Sequence, residues 1–111
     1  MENKKVVDQL GALAQETRLA IFRLLVETGP AGLPAGEIGQ RLNLPPATLS
    51  FHLSQLSHAG LVRFLRKGRS LIYSADFAAM NGLVSFLTEN CCGGRPELCA
   101  PADACGPDRT A

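Results

Sequence analysis

Two consecutive prolines, Pro45 and Pro46, stand between two amphipathic stretches and dictate how the middle of this chain can fold. A proline disfavours helical geometry in the residue before it, yet is well tolerated in a first helical turn. Asn43-Leu44-Pro45 therefore reads as a tight turn. Before it comes a short helix, about Pro34 to Leu42, with Ile38 and Leu42 on one face; after it comes a longer one, Pro46 to Ala59. In the longer helix Leu49, Leu53 and Leu56 form a single stripe, and Gly60 suits its C-terminal cap.

Upstream, Val6, Val7, Leu10, Leu13 and Ala14 recur at helical spacing between Lys4 and Ala14. A second helix, about Glu16 to Glu27, carries Ile21, Phe22, Leu24 and Leu25 and is ended by Gly29-Pro30. Ala31 to Gly36 reads as a loop. Downstream, Leu61 to Lys67 and Ser70 to Ala75 alternate as two strands across Gly68, giving a hairpin with Arg66, Lys67 and Arg69 at its tip. A last helix, Phe77 to about Asn90, puts Met80, Leu83, Val84 and Leu87 on one stripe, broadened by Phe77, Ala79 and Phe86.

A chain of 111 residues is one domain by length and leaves much apolar surface uncovered. Self-association is expected, through Val6, Leu10 and Leu13 of the first helix and the Met80, Leu83, Val84, Leu87 stripe of the last. The chain has no apolar run of about eighteen residues and no cleavable leader pattern at its start. A cytoplasmic protein with no membrane partner and mostly reduced thiols is expected.

Net charge is only +1, but its distribution is uneven. No Asp or Glu occurs from Ile38 to Ala75, whereas Arg41, Arg63, Arg66, Lys67 and Arg69 do. That stretch is a candidate surface for a polyanion, and a basic loop on a solvated face accounts for it equally well. The Pro46 to Ala59 helix presents Ala47, Thr48, Phe51, Ser54, Gln55 and His58 opposite its leucine stripe, with no acid, Lys or Arg among them. Such a face suits hydrogen bonding to base edges; an ordinary surface helix of small residues would have the same composition.

Two helices joined by a tight turn and followed by a basic-tipped hairpin make a winged helix-turn-helix, mainly α with a small β-hairpin. Three stretches then resemble the ArsR/SmtB family of bacterial metal-responsive repressors: Leu13 to Ile21 (LAQETRLAI), Thr48 to Leu56 (TLSFHLSQL), and Ala59-Gly60-Leu61-Val62 running on to Gly68-Arg69 and Ile72-Tyr73. The resemblance covers about Val6 to Leu87. It implies a homodimer joined by the first and last helices, bound to an inverted-repeat operator in double-stranded DNA and released by an effector. It also implies that the Pro46 to Ala59 helix is the recognition helix, with Thr48, Ser50, Phe51, His52 and Gln55 contacting DNA and Arg63, Arg66, Lys67 and Arg69 completing the contact from the wing. His52 lies about 60° from the leucine stripe, so a half-buried ring bonded to backbone fits as well as a phosphate contact.

Two metal sites known in the family are missing from the sequence. Pro34 and Gly36 stand where the third-helix cysteine pair would be, and Asp76 is followed at the second position by Ala78, with no histidine after His58. Cysteine is instead confined to the last 21 residues, as Cys91, Cys92, Cys99 and Cys105. A body without thiols was built without disulfides, so the cluster reads as a ligand set that begins at the very end of a domain of residues 1–92 and continues into a tail, residues 93–111. The Gly, Pro and Asp content of that tail predicts flexibility when no ligand is bound.

An adjacent cysteine pair followed by a third resembles an arsenic-responsive subgroup of the family, and Cys91, Cys92 and Cys99 supply three soft thiolates, with Cys105 as a substitute. Trivalent arsenic or antimony is the expected effector, with no organic cofactor. Neighbouring helical residues point about 100° apart, so binding by both Cys91 and Cys92 is expected to unwind the last helical turn. A redox-active thiol pair, another soft metal, or an interaction module with a structural zinc tail are the other readings, although the Cys-x2-4-Cys spacing common for zinc is lacking. No Cys-x5-Arg loop, phosphate-binding glycine loop or acid-base pair is present, and no enzyme activity is expected.

Overall fold

The computed structural model describes residues 2–89 and residue 93. Its elements run α1 (Asn3–Leu13), α2 (Glu16–Thr28), β1 (Leu33–Pro34), α3 (Ala35–Leu42), α4 (Pro46–His58), β2 (Val62–Lys67), β3 (Ser70–Ala75) and α5 (Phe77–Leu87). Cys91, Cys92, Cys99 and Cys105, and the tail beyond residue 93, lie outside the described residues.

The turn between α3 and α4 forms where the prolines require it. Asn43 takes a left-handed conformation, φ 57°, the one positive φ at a non-glycine among the described residues. The Leu44 N–H then donates to the Gly39 carbonyl at 2.9 Å, the wrapped closure that a left-handed cap permits. Gly39 is buried, and a β-carbon there would sit 3.3 Å from both the Leu44 carbonyl oxygen and Leu49 Cδ2. The missing side chain lets α4 pack closely on α3.

The core is assembled across this turn. Ile21 and Leu25 of α2, Ile38 of α3, and Leu53 and Leu56 of α4 are almost wholly removed from solvent. Each such residue contributes about 1.5–3 kcal/mol relative to an exposed position. Gln9 of α1 is the polar exception, fully buried with neither amide atom bonded among the described residues.

The sheet has three antiparallel strands in the order β1-β3-β2, where the sequence predicts only a hairpin. The segment expected to be a loop, Ala31 to Gly36, contains β1, with Leu33 opposite Tyr73 and Pro34 opposite Ile72. Gly32 makes the approach possible. Its φ is +72°, and a β-carbon there would collide with the Tyr73 carbonyl. Gly32→Ala should therefore destabilise the fold by roughly 3 kcal/mol, combining left-handed strain with overpacking, seen as a lower urea midpoint. An unchanged midpoint would mean β1 is not held in this register.

β2 and β3 pair from Val62–Ala75 to Lys67–Ser70, leaving Gly68 and Arg69 as the turn, with Gly68 at φ 61°. The base of this wing is tied into the helices: Leu61 N–H donates to the Leu56 carbonyl at 3.0 Å, and Asp76 N–H to the Leu61 carbonyl at 2.8 Å. Asp76 also caps α5, its Oδ1 accepting from the Ala79 N–H at 3.0 Å.

Two expectations about α5 change. Apolar periodicity carries the helix to about Asn90, but it ends at Leu87, where the Thr88 hydroxyl and N–H both turn back onto the Val84 carbonyl, at 2.8 and 3.1 Å. The apolar stripe is also partly used inside the protomer. Leu83 and Val6 are only 6% and 3% exposed, and Met80 and Leu13 pack against the core. The two helices also come near each other, Lys5 of α1 lining one crevice with Gly82 and Phe86 of α5. The apolar side chains still exposed on these helices are Val7, Leu10, Val84 and Leu87.

Candidate nucleic-acid interface

Burial of Leu49, Leu53 and Leu56 fixes which side of α4 faces out. Ala47, Thr48, Phe51, Ser54, Gln55 and His58 are exposed, as the helical wheel predicts, and so is Ser50. Among the described residues, the side chains of Thr48, Ser50 and Gln55 make no hydrogen bond, so their donors and acceptors are open to a ligand. Phe51 is 57% exposed, an unusual position for a large apolar ring and one suited to contact with a thymine methyl or a sugar face.

His52 belongs to a different environment. It is half-buried, and its partner is a side chain rather than the backbone: Nδ1 lies 3.2 Å from Nη1 of Arg18, 34 residues earlier. A guanidinium has only donors, so Nδ1 must accept and the ring proton sits on Nε2. Burial, and then the positive charge of Arg18, hold the His52 pKa below the usual 6.5. Arg18 is the site residue that sequence reasoning missed. It lies inside the LAQETRLAI stretch, but no spacing rule pairs it with His52.

The wing supplies charge. Arg63, Arg66, Lys67 and Arg69 are all exposed, and none takes part in an ion pair among the described residues. Arg41, counted with them in the acid-free stretch, is neutralised by Glu37 just outside it, Nη2 to Oε2 at 2.7 Å. Side chains alternate along a strand, so Arg66 shares a face with Phe64, while Arg63 and Lys67 share the other. Phe64 pairs across the sheet with Tyr73, ring centroids 5.5 Å apart, and both line a cleft of about 250 Å³ with Ser54 and His58. The wing is thereby set beside α4, so that the neutral polar face of the helix and the four exposed cations of the wing belong to neighbouring elements.

No helix among the described residues is long and apolar enough to cross a membrane. Nor do the described residues hold a cluster of three or more His, Cys, Asp or Glu able to take a metal ion. The cysteine ligand set lies outside them.

Known proteins share much of this geometry. A helix-turn-helix domain model matches residues 13–63, from the end of α1 into the wing. The uncharacterized HTH-type transcriptional regulator YceK of Bacillus subtilis is 39% identical over 59 residues, 53% of this chain, which spans only 58% of that protein. The transcriptional activator HlyU of Vibrio cholerae is 31% identical over 83 residues, covering 75% of this chain and 74% of HlyU. A solved structure of reduced HlyU covers 80% of this chain and 90% of its own, with TM-score 0.64 and 30% identity. An ArsR-like transcriptional regulator from Rhodococcus sp. RHA1 gives TM-score 0.67 at 30% identity over 76% of each chain. The homodimeric winged helix-turn-helix domain of Mb0332 from Mycobacterium bovis, a possible ArsR-family regulator, gives 0.62 at 27% over 78% of this chain and 81% of that one. With the recognition helix, the wing and two-thirds or more of a HlyU-type relative all accounted for, this chain belongs to the ArsR-type family of winged-helix transcriptional regulators, which bind DNA.

Proposed function

We propose that this regulator is a homodimeric repressor that reads an inverted-repeat operator with α4 and the wing, and leaves it when trivalent arsenic or antimony binds the cysteines of the tail. The observation that carries the DNA reading is the exposed, unbonded, uncharged face of α4 beside the four wing cations. Base edges are read by neutral or bidentate polar groups, and phosphates by cations that displace counterions.

A binding titration tests it. Replacing Arg66, Lys67 and Arg69 by Ala should weaken binding to every duplex alike and reduce the slope of log K against log salt by about 3, close to 0.9 for each phosphate no longer neutralised. Gln55→Ala or Ser50→Ala should instead reduce discrimination between sequences, by about 1–3 kcal/mol at the affected base pair. If all these changes left operator affinity untouched, the reading would be wrong.

Dimerisation is supported by the homodimeric Mb0332 domain and by the exposed apolar side chains Val7 and Leu10 of α1 and Val84 and Leu87 of α5. Effector chemistry is supported by the cysteine set. Arsenite in its neutral trihydroxy form exchanges its three hydroxyls for three cysteine sulfurs, each thiol proton leaving with a hydroxyl as water and with no change of oxidation state, and a pyramidal three-sulfur site suits Cys91, Cys92 and Cys99. Capture of the effector by cysteines that follow α5, which ends at Leu87, would act on the C-terminal end of that helix. A shift of α5 then changes the separation of the two recognition helices, which must match two half-sites. Kinship with HlyU, solved in a form named reduced, supports a second reading in which the same thiols respond to oxidation.

A further inference from the structure

The two longest stretches that carry the family resemblance, Leu13 to Ile21 and Thr48 to Leu56, are far apart in sequence and joined in the fold through Arg18. Its backbone N–H donates to Gln15 Oε1 at 2.8 Å, its Nε donates to the Ala12 carbonyl near the end of α1 at 2.7 Å, and its Nη1 reaches Nδ1 of His52 in the middle of α4. We propose that Arg18 and His52 are positioning residues for DNA reading, a tie between the α1–α2 corner and the recognition helix that fixes the rotation of α4 about its own axis. The inference rests on the proposed DNA-reading role of α4.

Leucine packing sets how deep α4 sits and which side faces out, and leaves to a directional contact the finer rotation of the helix about its axis. A planar guanidinium whose donors point in fixed directions resists it strongly, because turning α4 moves Nδ1 out of line. Rotation matters here, since it decides whether Ser50 or Gln55 addresses the bases. His52 is half-buried and holds its acceptor nitrogen inward, which makes it a poor phosphate ligand and a good anchor.

The tie also requires a neutral ring. In contact with it are Arg18 of α2 and, on α4 itself, the Phe51 ring at 5.4 Å; Arg18 is held in turn by the uncharged Gln15 just before α2 and the Ala12 carbonyl of α1. None of the ion pairs found among the described residues involves Arg18. Protonation would put an N–H on Nδ1 against a guanidinium N–H and break the contact. His52 has a lowered pKa, so its contribution is complete above 6.5 and is lost as pH falls through the lowered value of the folded protein.

The test uses the full-length protein and duplexes that the parent selects from a random pool, with a scrambled duplex as control. Arg18→Met and His52→Leu should each lose roughly tenfold in affinity for the selected duplex, while binding to the scrambled one and the salt slope stay unchanged. The double variant should lose no more than either single one. His52→Asn, whose Oδ1 takes the place of Nδ1, should recover most of the loss and bind independently of pH between about 7.5 and 5.5. Losses that add, or a His52→Leu that weakens both duplexes equally and lowers the salt slope by about 1, would make His52 a phosphate ligand and overturn the proposal. Should the variants fold poorly, the parent decides the matter: nitrogen NMR must show the Nε2–H form of His52, and its titration midpoint must coincide with the loss of specific affinity. A ring protonated on Nδ1, or an affinity flat through that midpoint, refutes the tie. Failure of the parent to select any sequence would sink the DNA-reading role itself.

Discussion

Cys91→Ser and Cys92→Ser should each bind the operator as tightly as the parent and keep it when arsenite is added. The parent should lose affinity by roughly 5- to 150-fold, the range of a coupling free energy of about 1–3 kcal/mol between two sites. Cys105→Ser should respond almost as the parent does, because Cys99 supplies the third thiolate. An effector with one organic group needs only two thiols, so methylarsenite should still act on Cys99→Ser where arsenite fails. Peroxide separates the oxidation reading: a sensor of trivalent arsenic responds to arsenite under reducing conditions, whereas a redox sensor responds to peroxide and ignores arsenite kept with excess monothiol. Retention of zinc through purification, with no arsenite response, would point to a structural tail. Release by arsenite from the Cys91→Ser, Cys92→Ser double variant would place the sensor elsewhere in the chain.

The second large effect is expected from Leu87→Glu or Val84→Glu. Both residues are exposed in the protomer, at 57% and 54%, so each substitution should leave the fold intact and act only where a partner would cover it. An unpaired charge buried at an interface costs several kcal/mol, and sedimentation should show monomers at micromolar concentration. Operator affinity should fall by about 10²- to 10⁴-fold, because two half-sites would no longer be engaged through one linked body. Leu83→Glu makes a poor substitute for these variants, since Leu83 is buried within its own protomer and a charge there should unfold the chain before it splits a dimer. Val84→Glu and Leu87→Glu proteins that remained dimeric would show that another surface joins the subunits.

The helices and the wing are legible in the sequence because each has a local signature. Pro45 and Pro46 place the turn, the leucine spacing orients α4, and Gly68 closes the hairpin, all within a few residues of one another. What escapes is non-local. β1 is two residues long, too short to show a period, and exists because Gly32 lets the chain approach Tyr73 far along the sequence. The Arg18–His52 contact spans 34 residues and follows from how α2 crosses α4, which side-chain spacing does not encode. Leu83 reads as outward because periodicity identifies an apolar face without saying what covers it; in the fold Leu83 is buried and Met80 packs against the core. Arg41 reads as free because the acid that pairs with it stands one position outside the acid-free stretch. The α4 face and the wing cations, by contrast, can be read directly, since exposure of small polar and charged residues is what their types already favour.

The order of the strands has a consequence for how copies of this protein meet. With β3 in the centre, both outer strands are potential templates for pairing with a second chain, the usual origin of aggregation in small sheets. One edge, β1, is only two residues long and ends in Pro34, which has no N–H to offer. The other, β2, carries Arg63, Arg66 and Lys67, whose like charges repel a second copy brought alongside. Both margins are thus poor templates for uncontrolled growth, which keeps the wing of each protomer single.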